Sequence, residues 1–173
     1  PYTGCVMAID PSGKGRDETA YCVTKFANGN IYLLDIGGFN AGYSEHTLSK
    51  LVDIAKKHKV NKILIEQNFG QGMFEALLKP YLIKQYPCTT EMVHQQTNKH
   101  RRILDTLEPI ISQHRLIVDK YVVKKDYEET NMLYPQETAL RYQLFYQLSR
   151  LQKEVHSLSQ DDRIDCLQVA CNH

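Results

Sequence analysis

The residues whose chemistry exceeds their structural use are acids placed at the ends of apolar runs. Asp10 closes the run Cys5–Ile9, and Glu66 closes the run KILIE at 62–66. A third group, Asp161, Asp162 and Asp165, opens the final helical stretch SQDDRIDCLQVA. A buried strand is stabilised by its apolar side chains, and a terminal carboxylate adds nothing to that core. Carboxylates packed together repel one another, so such a cluster asks for a cation. Oxygen donors suit hard divalent ions, and a pair of these about 3.5–4 Å apart is what in-line phosphodiester hydrolysis uses. Each group also has a plain structural use. Asp10 precedes Pro11 and suits a turn, while acids at a helix start favour the macrodipole and can cap it. The pairing of Asp10 with Glu66 is what lifts the metal reading above these.

That pairing depends on the elements between them. Thr19–Phe26 and Ile31–Phe39 are β-prone, and Asn28-Gly29 between them is a strong hairpin signal, so the first three strands form an antiparallel meander closed by Gly37-Gly38. Ser44–His58 reads as a helix with Leu48, Leu51, Val52 and Ala55 on one face. Strand, helix, strand implies a right-handed crossover, which sets KILIE parallel to the first strand. Neighbouring strands lie ~4.8 Å apart, so Asp10 and Glu66 can share an ion at one sheet edge, where ligand sites of open α/β sheets gather. Phe74–Tyr86 follows as a helix that Pro80 would kink, then a strand at Thr89–His94. Asn98–His114 is an amphipathic helix carrying Pro109, where a break or bend is expected. Residues 119–135 read as a tyrosine-rich surface excursion or small hairpin. Gln136–Leu151 reads as one helix with Leu140, Leu144, Leu148 and Leu151 inward, and Asp161–Cys171 as the last, capped by Ser159 or Asp161. The fold class is α/β: a five-stranded mixed sheet, strands one to three antiparallel and one, four and five parallel, flanked by helices.

Bulk properties set the bounds. The chain's 173 residues suit one domain, and 42% hydrophobic with 24% charged residues is ordinary for a globular protein. No apolar run approaches the ~20 residues of a membrane-spanning helix. The chain starts at Pro1, which reads as a piece of a longer polypeptide. Five cysteines form no CxxC pair, and several fall in apolar stretches, which suits free thiols in a reducing compartment and argues against zinc. A net charge of +1 means that any basic footprint is local.

The motifs taken in order, IDPSGKGRDETAY, ILIEQNFG, TNKHRRI and SQDDRIDCLQVA, resemble the C-terminal nuclease domain of the large terminase subunit of tailed bacteriophages, within the ribonuclease H-like superfamily. The resemblance spans essentially the whole chain. It implies a metal-dependent DNA endonuclease that cuts concatemeric viral DNA during packaging with two Mg2+ or Mn2+ ions. Catalytic residues would be Asp10, Glu66 and Asp162. The metal ligands would be Asp10, Glu66, Asp161 and Asp162, in which Asp162 is preferred, Asp161 comes second and Asp165 stays open. Asp17 matches a later acid of the first motif. Gln160 stands where the family often has a histidine. The implied partners are double-stranded DNA, an ATPase motor domain earlier in the polypeptide, a small terminase subunit and the portal. The setting would be the host cytoplasm and, transiently, the procapsid, with the isolated domain monomeric. No GxxxxGK[ST] occurs, so ATP hydrolysis by a phosphate loop is not expected of this stretch.

Candidate phosphate contacts are Lys14 and Arg16 beside the first acid, Lys99, Arg101 and Arg102 at a helix start, and Lys124 and Lys125 in the tyrosine-rich stretch. Three rival readings remain. A RuvC-like junction resolvase would act as a dimer on branched DNA. An actin-like ATPase would need a second domain and phosphate loop. A non-catalytic nucleic-acid-binding module would bind no divalent metal.

Overall fold

In the computed structural model, residues 2–11, 18–67, 72–150 and 158–172 are described. Lys14, Arg16, Asp17 and Leu151 lie outside them. The first three strands, β1 (Tyr2–Asp10), β2 (Thr19–Ala27) and β3 (Asn30–Phe39), form the antiparallel meander. Asn28 and Gly29 turn it with φ of 51° and 79°, the positive pair that a two-residue hairpin needs. The crossover through α1 (Glu45–Lys57) sets β4 (Lys62–Glu66) parallel to β1, with Ile9 beside Ile65. A second crossover through α2 (Met73–Gln85) adds β5 (Thr89–Val93) parallel to β4.

Among the described residues the sheet has six strands, ordered β5-β4-β1-β2-β3-β6, rather than the expected five. The sixth, β6 (Leu116–Val118), pairs in parallel with β3 over Ile31–Leu33 at the far edge. Three residues are too few to show period-two alternation, and partners on β3 make this segment a strand.

Side-chain alternation divides the core between two faces. Met7, Ile9, Tyr21, Val23, Ile63 and Ile65 meet α1 and α2. Ala8, Ala20, Cys22 and Leu64 meet α3 (Lys99–Ser112) and α7 (Asp162–Cys171). Asp10 shares parity with Ala8, and Glu66 with Leu64, so both acids point to the face that α7 covers. In α7, residues 163–170 are all buried, as expected of a helix lying across β1 and β2.

Several expectations are corrected. The stretch read as a surface excursion is a helix, α4 (Lys120–Leu133), started by Asp119, whose carboxylate accepts from the Tyr121 amide. Its buried side is Val122, Asp126 and Thr130, and two polar residues in that stripe disguise its helical period. The helix expected over 136–151 is two, α5 (Gln136–Tyr142) and α6 (Leu144–Arg150), parted at Gln143 by extended backbone. Leu140 is exposed there, whereas Leu144 is fully buried. α2 and α3 run on through Pro80 and Pro109, so the break allowed for at Pro109 does not occur. Both sit on exposed sides, where water can satisfy the carbonyls that a missing N–H leaves free. Gly37 and Gly38 lie inside β3, not beyond it. A Cβ on Gly37 would come 2.5 Å from the Tyr21 hydroxyl, and one on Gly38 2.2 Å from a Glu18 carboxylate oxygen.

Candidate metal centre

Asp10, Glu66 and Asp165 converge from β1, β4 and α7. Each offers a carboxylate oxygen, and these oxygens lie within 4.8 Å of one another. All three residues are buried, at 3%, 6% and 0% exposure. Burial, and after it the charges of Glu66 and Asp162, hold the Asp10 carboxyl well above the usual range. Burial foremost, then the Asp165 charge, pushes Glu66 up to about 8. Among the described residues, Glu66 Oε2 and both Asp165 oxygens are buried without a hydrogen bond. A compact set of buried oxygen donors, with Asp10 and Glu66 raised in pKa by burial and neighbouring charge, fits a hard divalent cation such as Mg2+ or Mn2+.

Among the three acids of the last helix, the structure groups Asp165, which the sequence leaves open, with Asp10 and Glu66, and sets the preferred Asp162 beside them. Asp165, one turn into α7, is the one gathered with Asp10 and Glu66. Asp162 opens the helix near enough for its charge to raise Asp10. Asp161 occupies the N-cap position without a side-chain capping bond, because it turns to Lys99 at 2.9 Å. The sequence spaces these acids within one turn, and only the docking of α7 on the sheet separates their roles.

Two basic residues at the start of α3 face the acids. Lys99 Nζ lies 2.9 Å from Asp161 Oδ1 and 3.3 Å from Asp165 Oδ2. The surrounding carboxylates, Asp165 first, outweigh burial and raise the Lys99 pKa, so the ammonium stays charged. Arg102 reaches Glu66 Oε1 and Asp165 Oδ1, each at 3.7 Å, and donates to the Thr97 carbonyl. Asn98 caps this helix by accepting from the Arg101 amide, which aims the turn at the site. The other basic candidates are placed differently. Arg101 projects outward and pairs with Asp105 at 3.6 Å, and Lys124 pairs with Glu128 at 3.7 Å on the exposed side of α4. Lys125 is engaged inside the fold, donating to the Tyr21 hydroxyl at 2.8 Å and to Asp35.

Sequence reasoning passed over a second charged cluster behind the first. Arg163, fully buried, donates to Glu18 Oε1 at 2.6 Å, Glu18 Oε2 at 3.2 Å and Asp126 Oδ1 at 2.7 Å. The Tyr134 hydroxyl donates to Glu18 Oε2 at 2.5 Å. Asp126 also accepts the amides of Leu144 and Phe145, which caps α6. An arginine set among apolar residues of a late helix was the available signal, but its partners lie 145 and 37 positions away.

A family model described as the ribonuclease H-like domain of the bacteriophage T7 terminase matches residues 9–116. The chain belongs to this terminase family. A terminase large subunit of Enterobacteria phage T3 is 40% identical over 168 residues, which cover 97% of this chain. The chain spans 28% of that relative's length. Among solved structures, the manganese-soaked, inhibitor-bound terminase nuclease domain of human cytomegalovirus matches with a TM-score of 0.66 at 10% identity, covering 98% of this chain and 82% of that one. The nuclease domain of the large terminase subunit of bacterial virus Sf6 matches with a TM-score of 0.60 at 13% identity, covering 99% and 88%. At such identities the shared property is the fold, so this terminase domain has the ribonuclease H-like fold.

Proposed function

We propose that this terminase domain is a divalent-metal-dependent endodeoxyribonuclease that cuts concatemeric viral DNA during genome packaging. The convergence of Asp10, Glu66 and Asp165 within 4.8 Å carries the reading. In it these three carboxylates hold the metal, with Asp162 at the rim. Bound there, two Mg2+ or Mn2+ ions would lower the pKa of an attacking water and polarise the scissile phosphate. The chain's own residues do the rest. The sheet edge fixes the acids, while the Lys99 and Arg102 cations offset part of the acid repulsion and favour entry of a phosphate. Arg101 and Lys124, with Lys14 and Arg16, would contact the DNA backbone, contacts that carry little base information. Lys125, already engaged with Asp35, has a lesser part. An ATPase motor domain in the same polypeptide, a small terminase subunit and the portal complete the reading, with action in the host cytoplasm at the procapsid.

The test is nicking and linearisation of supercoiled plasmid in Mg2+ or Mn2+. Asp10→Asn, Glu66→Gln and Asp165→Asn should each lower the rate by more than about a hundredfold, since loss of a ligand exceeds the loss expected from an outer partner. Asp161→Asn should retain most activity. Native cutting rates in Asp165→Asn would refute the site.

A further inference from the structure

Asp161, at the N-cap of α7, makes no side-chain capping bond, so the first turn of this helix is fixed by other means. The Ile164 amide donates to Gln147 Oε1 on α6 at 2.9 Å. The Arg163 guanidinium forks between Glu18, just before β2, and Asp126 on α4. Arg163 and Asp165 are two residues apart, hence about 200° around the helix. An anchor on one side of α7 therefore sets the rotation of the other. With side-chain tips about 6 Å from the helix axis, a turn of about 20° moves a carboxylate by about 2 Å. That is comparable to a whole metal–oxygen bond, and magnesium-type ions tolerate little departure from octahedral geometry.

We propose that Arg163 is a positioning residue for the metal centre: its buried network with Glu18, Asp126 and Tyr134 holds α7 in the rotation that places Asp165 against Asp10 and Glu66. The proposal rests on the metal-binding reading of those three acids. Stability alone is a poor reason for the network, because buried ion networks can often be replaced by apolar residues of similar volume without loss. The surrounding sequence accommodates it at several points. Gly38 leaves the space that Glu18 fills, Tyr134 stacks on Tyr142 at 3.7 Å while donating to Glu18, and Asp126 joins the guanidinium to the start of α6.

Arg163→Lys keeps the charge that Glu18 and Asp126 need and removes the fork. Mn2+ binding to the 173-residue chain, followed by titration calorimetry, should weaken by about 10- to 100-fold, the range seen when outer partners of metal ligands are lost. The Mn2+ concentration for half-maximal plasmid cleavage should rise by the same factor, with the rate at saturating Mn2+ changing much less. A folded Arg163→Lys chain that binds Mn2+ within about twofold of the native chain overturns the proposal. Tyr134→Phe removes only the hydroxyl bond to Glu18 and serves where the lysine variant fails to fold; an unchanged Mn2+ constant there likewise overturns it. Asp165→Asn, run alongside, separates the two levels. Unchanged Mn2+ binding in that variant refutes the metal centre and the proposal with it, whereas loss there with Arg163→Lys unchanged refutes the positioning role alone.

Discussion

Replacing Glu66 by glutamine keeps the side chain's size, removes its charge, and should make the protein less sensitive to alkaline pH when chelator is present. Burial and the Asp165 charge raise the Glu66 carboxyl from 4.5 to about 8. A carboxyl with a folded pKa above its unfolded value holds its proton more tightly in the folded state. Its stabilising contribution is full below about pH 4.5 and is lost as pH rises through about 8. At about 1.4 kcal/mol per pH unit over the roughly 3.5 units between the two values, an isolated group would lose roughly 5 kcal/mol, less where Asp10 shares the titration. Urea unfolding with EDTA at intervals from about pH 5 to pH 9 measures this directly. The native chain should lose stability across the window. The Glu66→Gln chain should vary less and be the more stable of the two at the alkaline end. Saturating Mn2+ should reverse that order, since only the chain that binds the ion gains from it. Parallel native and variant profiles in EDTA would refute the account of Glu66 as a strained, protonated acid.

Two substitutions test the frame that carries the acids. Gly37→Ala places a Cβ 2.5 Å from the Tyr21 hydroxyl inside the sheet, so it should cost about 1–3 kcal/mol in urea unfolding, and a neutral result would show that the ring can yield. Leu64→Ala empties a fully buried position under α7 and should cost about 2–5 kcal/mol by the same measurement; a loss under about 1 kcal/mol would mean that α7 collapses into the space.

The parts of the fold legible in the sequence are those with local signals. The Asn28-Gly29 hairpin needs only two residues that tolerate positive φ, and both are there. α1 announces itself by the apolar spacing Leu48, Leu51, Val52 and Ala55 and by Ser44, whose hydroxyl accepts from the Thr47 amide. Two buried runs ending in acids, separated by a β-hairpin and a helix, are enough to imply the parallel β1–β4 pair. What escaped was set by contacts distant in sequence. α4 buries Asp126 and Thr130, so its inner stripe carries no apolar period, and β6 is a strand only because β3 lies beside it. Which of Asp161, Asp162 and Asp165 comes against Asp10 and Glu66 depends on how α7 is turned against the sheet, which no spacing within the helix encodes.

The two buried acid clusters differ in how well their charge is met, and the difference supports the proposed metal role of one and a structural role for the other. Glu18 and Asp126 receive a fork of guanidinium hydrogen bonds, three of them between 2.6 and 3.2 Å, together with a tyrosine hydroxyl and two backbone amides. Charges so fully bonded have little left to offer a ligand. Asp165, on the other side of the same helix, faces Lys99 at 3.3 Å and Arg102 at 3.7 Å, and among the described residues neither of its carboxylate oxygens has a hydrogen bond. Those cations offset part of the repulsion among Asp10, Glu66 and Asp165, yet Asp10 and Glu66 still hold their protons far above the ordinary carboxylate range. A core built for stability alone would put its arginine fork where the repulsion is worst. Here the fork sits behind the site, on the helix that delivers Asp165, and the acids at the sheet edge keep oxygens that a divalent cation can still claim.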